Sequence, residues 1–177
     1  MTEQHVVGAI LPEAKFARPK DVLNSTDEAT TLENHAVLKP NFTGTWNFNH
    51  ERSTLQIPAP EATIFVIDHR EPTFRITRTH TVGERRDTFS LDLTTDGQLT
   101  STLHEGLRLR SRAYWDDNTL VFDTGFVRAG IAATNIVRYT LSDGGNTLVA
   151  EECFRSVPVN YDNVWLLERV DPDQANY

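Results

Sequence analysis

Cysteine is almost missing from this chain. Of 177 residues only Cys153 carries a thiol, so no internal disulfide framework can form. Nothing beside it activates a thiolate, and a structural role is expected. Long apolar runs are missing too, since none approaches the roughly 18 residues of a membrane helix. The opening MTEQHVVGAILPEAKF has no basic region followed by a long apolar one, so no signal peptide is expected; with a single cysteine, a reducing, cytoplasmic location is. Basic side chains are in deficit, 17 against 25 acids for a net charge of −8. That balance argues against nucleic-acid partners, which need Lys and Arg in excess, and against anionic membranes. No G-x-S-x-G, phosphate loop or dinucleotide glycine motif occurs, and no cofactor is expected. The histidines (His5, His35, His50, His69, His80, His104) show no metal spacing, so no metal is expected, and His69 and His104 fall in stretches that read as turns. Glu151-Glu152 and Asp116-Asp117 are adjacent pairs that would diverge on a strand, unlike a glycosidase dyad.

What is present from Asn41 onward is alternation. Apolar and polar residues trade places at period two, interrupted by turn chemistry at DHREP (68–72), VGER, TTDG, HEG, WDDN, RAG, SDGG and SVPVN. About ten strands fit between these breaks, and connections this short force antiparallel neighbours. Such a meander must protect its edges. Closure and a two-sheet sandwich both do so, and the scarcity of long crossings favours closure. The expected fold is therefore all-β: an antiparallel up-and-down β-barrel of about 8–10 strands with an N-terminal extension. Residues 1–40 lack a convincing strand and read as an arm or lid, and residues 41–177 as the barrel.

The stretch NFTGTWNFNHERSTL opens that barrel. Phe42, Gly44, Trp46 and Phe48 share one face, opposite Thr43, Thr45 and Asn47. A glycine inside a strand needs a cause, such as a bend or another group approaching closely. FTGTW-x-F-N-x-x-x-S-x-L, followed by P-A-P and a β-run, resembles the first strand of lipocalin-like bacterial barrels and the G-x-W opening of the wider lipocalin and fatty-acid-binding-protein (calycin) group. The closing Glu168-Arg169-Val170 resembles that group too. The resemblance implies that Trp46 packs under Arg169 of the last strand, with Gly44 beside them, sealing the base by a cation–π contact. For the last strand, periodicity leaves two inward sets, Trp165, Leu167 and Arg169 or Val164, Leu166 and Val170; the implied Trp–Arg closure favours the first. The chain departs from lipocalins in its 40-residue front extension and in lacking the secretory signal and paired cysteines common in that group.

Period two also assigns the lumen. Phe74, Ile76, Arg78 and His80 share an inward face, as do Phe89 and Leu91 with Leu93. So do Leu109, Ser111 and Trp115 with Leu107 and Ala113, and Phe122, Thr124 and Phe126 with Leu120. Arg108, Arg110 and Arg112 then face outward, read as a solvated wall neutralised by acids such as Asp123, or else as a surface for an anionic partner. An inward Arg78 requires a carboxylate partner or an anionic ligand, and Glu152 is the candidate partner. Alternatively, the strand bulges and leaves His80 at a solvated rim. Large and small apolar residues with a few polar groups suit a small-molecule pocket, and the resemblance implies one. The expected function is binding of one small, largely apolar molecule. The alternative is a cyclase or isomerase acting on a polyketide- or terpenoid-like substrate, with His80, Arg78 and Glu152 as candidate catalytic groups under the arm as lid. A filled barrel serving a protein partner is a third reading, and a homodimer is compatible with the sequence.

Overall fold

The computed structural model describes residues 38–157 and 159–171, so most of the expected arm lies outside the described residues. Ten strands follow one another: β1 (Gly44–Phe48), β2 (Ala62–Arg70), β3 (Thr73–Val82), β4 (Arg85–Thr94), β5 (Thr100–His104), β6 (Leu107–Asp116), β7 (Thr119–Arg128), β8 (Ile131–Ser142), β9 (Thr147–Ser156) and β10 (Asn160–Arg169). A 3-10 turn at Asp143–Gly145 is the one helical element among the described residues, and no helix there is long and apolar enough to cross a membrane.

The strands form one antiparallel sheet in the order β4-β3-β2-β1-β10-β9-β8-β7-β6-β5. First and last strands pair, as Trp46 opposite Arg169 shows, so the sheet curls into an up-and-down barrel. Its seam runs between β4 and β5, which share no ladder. Near the lower end Asp96 bridges to Tyr114, and the Gly97 amide donates to the Ala113 carbonyl at 2.8 Å. Tight turns enforce this order. Glu105 and Gly106 both take positive φ (46° and 77°), the conformation whose twist matches flanking antiparallel strands.

One turn differs from its sequence reading. DHREP does not break at residue 68: β2 continues to Arg70, and the turn is only Glu71 and Pro72. Period two carries on through it, with Thr63, Ile67 and His69 buried and Val66, Asp68 and Arg70 exposed. His69 is thus a buried strand residue rather than a turn residue. His104 likewise ends β5, opposite Leu107.

Core side chains gather in the lower half of the barrel. Phe42 enters from the chain just before β1 and is fully buried, stacked on Trp115 (centroids 6.1 Å) and edge-on to Phe74 (6.4 Å). Phe74, Phe122 and Tyr139 close around it, with centroids of 4.8–4.9 Å from Phe122 to the other two. Leu120, Leu148 and Leu167 fill the remainder. Rings with offset and tilted geometry each bury a large area, so this plug carries much of the hydrophobic stabilisation.

Candidate functional site

The base is sealed as the first and last strands imply. The Arg169 guanidinium lies 4.1 Å from the Trp46 ring centre. It donates to the Thr43 carbonyl (2.6 Å) through Nη1 and to the Gly145 carbonyl (3.1 Å) through Nε. Trp46 Nε1 donates to the Phe42 carbonyl at 3.0 Å. Gly44 is glycine for two reasons: its φ is 150°, and a Cβ there would fall on the Arg169 guanidinium. A second polar knot lies beside it. Glu71 accepts from Thr95 (2.6 Å), Trp115 Nε1 (2.8 Å) and His69 Nε2 (2.9 Å). The Phe42 amide donates to His69 Nδ1, which places the His69 proton on Nε2. Partial burial pushes the Glu71 carboxyl up, but these hydrogen bonds outweigh it and hold the group below its ordinary value. Lys39, in the short described part of the arm, donates to the Asp117 carbonyl (2.7 Å) and lies over Trp115, at this same closed end.

Above the aromatic plug the lumen turns polar. Inward positions on β8, β9 and β10 are Asn135, Glu152 and Asn163. The Glu152 carboxylate accepts from Asn135 Nδ2 (3.0 Å), Asn163 Nδ2 (2.9 Å) and Trp165 Nε1 (2.9 Å). The Gln56 amide in turn donates to Asn163 Oδ1 at 2.8 Å. On the facing strands, His80 Nδ1 and the Thr63 hydroxyl share a hydrogen bond of 2.7 Å, and Ser111 and Thr124 share one of 2.9 Å. Arg78 is the exception. Its guanidinium lies 5.6 Å from the Phe89 ring, but its buried Nε has no hydrogen-bond partner among the described residues, and it forms no ion pair there. The expected Arg78–Glu152 pair is therefore not made. The carboxylate is occupied instead by two amides, which the sequence did not point to, and by the indole of Trp165, which it read as inward. The buried Asn135 Oδ1 also lacks a partner.

Arg78 and His80 line a cavity of about 40 Å³ with Glu152, Tyr139, Trp165 and Phe65. His80 points inward on β3, not onto a solvated rim. Burial and the neighbouring Arg78 charge push its imidazole down to about 4, against weaker support from Asp87 and Glu152, so it is neutral near pH 7. Burial raises the Tyr139 hydroxyl, which stays protonated. Further up, Phe154 and Tyr161 pair across β9 and β10 and stack at 4.8 Å, one inward rung above Glu152 and Asn163. Together with Phe126, Ile131 and Ala133 they line an open pocket of about 470 Å³ at the mouth.

The inward residues read from the sequence therefore divide three ways. Arg78 and His80 border the inner cavity, and Phe126 the mouth. Phe74, Ile76, Leu91, Leu109 and Phe122 are packed core. Trp115 belongs to the base network, Ser111 and Thr124 satisfy each other, and Phe89 packs on Arg78 and on His104. Three potential metal donors, Asp87 on β4 and the adjacent His104 and Glu105 at the end of β5, bring ligand atoms within 4.8 Å of one another at the seam, and Glu105 is exposed.

No protein-family model and no curated protein sequence matches the chain. Solved structures do. Secretory abundant heat soluble protein 4 from Ramazzottius varieornatus is 17% identical with a TM-score of 0.50, over 73% of this chain and 95% of that one. A second secretory abundant heat soluble protein of that organism, from a dimer sample, is 12% identical with a TM-score of 0.53, over 72% and 94%. Human cRBP IV is 13% identical with a TM-score of 0.48, over 74% and 99%. This chain has the lipocalin-like calycin barrel fold. At such identities the likeness is one of architecture, and the function of this barrel must be argued from its own lumen.

Proposed function

We propose that the barrel binds one small, largely apolar molecule that presents a carboxylate or carbonyl oxygen to Arg78. A single observation carries this reading: among the described residues, a guanidinium whose buried Nε is unmatched faces a cavity whose only carboxylate is already held by three donors. A buried donor without an acceptor is unfavourable, and an anionic ligand supplies the acceptor with charge assistance. The apolar part of the ligand has its place among Phe126, Phe154 and Tyr161 in the mouth. The cavity beside Arg78 has the volume of one or two waters, so only the polar head fits there. The neutral imidazole of His80 beside that head supports a second reading, in which it moves a proton on a bound carbonyl compound in the manner of an isomerase or cyclase.

The test is titration with decanoate and with decanol, followed by thermal unfolding and by analysis of the recovered ligand. Decanoate is expected to stabilise the native chain as mass action requires, by about 2.7 kcal/mol at a hundredfold excess over Kd. Decanol is expected to do so more weakly, and Arg78→Gln to remove the difference. Equal stabilisation of both proteins by both compounds would overturn the Arg78 assignment. With 2-decanone added in deuterated water as a third compound, deuterium at its α-carbons on recovery would favour the catalytic reading over binding.

A further inference from the structure

We propose that the outer wall of β5–β8 carries a second binding site, separate from the lumen, for a single-chain anionic amphiphile. The wall is concave there, a groove of about 730 Å³. Its guanidiniums come from the outward stripe of β6. Arg112 is neutralised by Asp123 on β7, at 2.7 and 3.0 Å, as the sequence leads one to expect. The other two are not. The cross-strand neighbours of Arg110 are Ser101 on β5 and Gly125 on β7, and Arg110 makes no hydrogen bond or ion pair among the described residues. Arg108 faces Leu103 and, one rung along from Gly125, Val127; its one hydrogen bond among the described residues is a 3.5 Å contact to Ser101. Asp123 is the only acid lining the groove among the described residues. In a chain of net charge −8, two guanidiniums without an ion-pair partner among the described residues are a local inversion of charge.

The floor between them is apolar and low. Leu99 and Val127 are 53% and 60% exposed, and Ala132 continues the surface onto β8. Gly125 deepens it. This glycine sits in mid-strand, where it lowers β-stability, yet the backbone does not require it. Its φ is not left-handed, and a Cβ there would come no nearer than 4.0 Å to another group, the Ala133 carbonyl. Gly44 is demanded by its surroundings and Gly125 is not; what Gly125 provides is room. Guanidiniums along one wall and an aliphatic floor match a carboxylate head and an alkyl tail lying along the strand.

The experiment uses the full chain and decanoate labelled with 13C at the carboxyl, observed by NMR as a titration. Two bound carboxylate signals are expected. The double variant Arg108→Gln/Arg110→Gln should weaken one of them at least tenfold and leave the other. Gly125→Leu, which fills the floor, should remove the same signal. Arg78→Met should remove only the other one, so failure of the lumen reading and failure of the groove reading are separately visible. A second signal that persists within twofold in both outer-wall variants would overturn the proposal. So would equal binding of decanol at the groove, or tighter binding there of a glutamate-rich decapeptide, which would reassign the wall to an acidic protein partner.

Discussion

Replacing Arg78 by methionine should make the unliganded barrel slightly more stable while abolishing its preference for carboxylates. Methionine keeps the unbranched stem that passes between Phe65 and Phe89, its neighbours across β2 and β4, and discards the charged head. A buried donor left without a partner costs about 1–3 kcal/mol, and Arg78 Nε is such a donor. Against this stands the loss of the Phe89 contact, about 0.5–1 kcal/mol at 5.6 Å. Glu152 also loses a nearby positive charge, but its three hydrogen bonds remain. The balance favours the variant by about 1 kcal/mol, or about 2–4 °C in Tm for a chain of this size. Urea unfolding followed by tryptophan fluorescence measures it, with an unchanged slope showing that the two proteins unfold alike. Phe74→Ala, in the packed plug, serves as the contrast and should lose about 3–5 kcal/mol. If Arg78→Met instead loses more than about 1 kcal/mol, the guanidinium is a structural member of the lumen and not a ligand anchor.

Gly44→Ala should lose about 2–4 kcal/mol, because the new Cβ displaces Arg169 from two carbonyls and from Trp46; calorimetry checks this, and a loss below about 1 kcal/mol would mean the base tolerates rearrangement. The His80 imidazole is lowered to about 4 in the fold against about 6.5 when unfolded, so the unfolded chain binds more protons between those values. The contribution of His80 to stability is therefore complete above about pH 6.5 and declines as the pH falls toward 4, at no more than about 1.4 kcal/mol per pH unit. His80→Asn should flatten that part of the pH–stability curve, and an unchanged slope would show that His80 titrates freely.

The barrel was legible because its signals are local. A lumen that faces inward at every second residue writes itself into the chain, and the inward sets on β3, β4, β6 and β7 and the Trp165, Leu167, Arg169 set on β10 follow that rule, although Val121, of the outward set on β7, is buried as well. The Trp46–Arg169 seal was legible from resemblance. What was illegible depends on partners distant in sequence. The duties of Glu71 and Glu152 are set by Thr95, Trp115, Asn135 and Asn163, and no spacing records such meetings. His69 was misplaced because Asp, His, Arg and Pro look like a turn; the alternation of Ile67 and His69 with exposed Asp68 and Arg70 was the better signal. Asn135 and Asn163 were discoverable in the same way, as amides at inward positions among apolar residues.

The two ionic groups of the lumen are treated unequally, and that inequality is what favours the proposed container over a filled core. A filled barrel gains nothing from burying a charge, and replacing a buried ion pair by apolar residues is often neutral or stabilising. Here Glu152 has every sign of structural accommodation: two asparagines and an indole converge on one carboxylate, each from a different inward position. Arg78, on the facing wall of the same cavity, has received an aromatic ring and no acceptor. Were both groups structural, the direct pair would be the economical arrangement, since each would satisfy the other. Engaging the acid elsewhere leaves the Arg78 guanidinium free to donate to a molecule that, on the proposed reading, enters past Phe154, Tyr161 and Arg128 of the mouth. It also leaves that molecule facing a carboxylate already saturated with hydrogen bonds, which lessens the repulsion of an incoming anion. The plug below is complete without either group, so the fold can bear the imbalance and the site can use it.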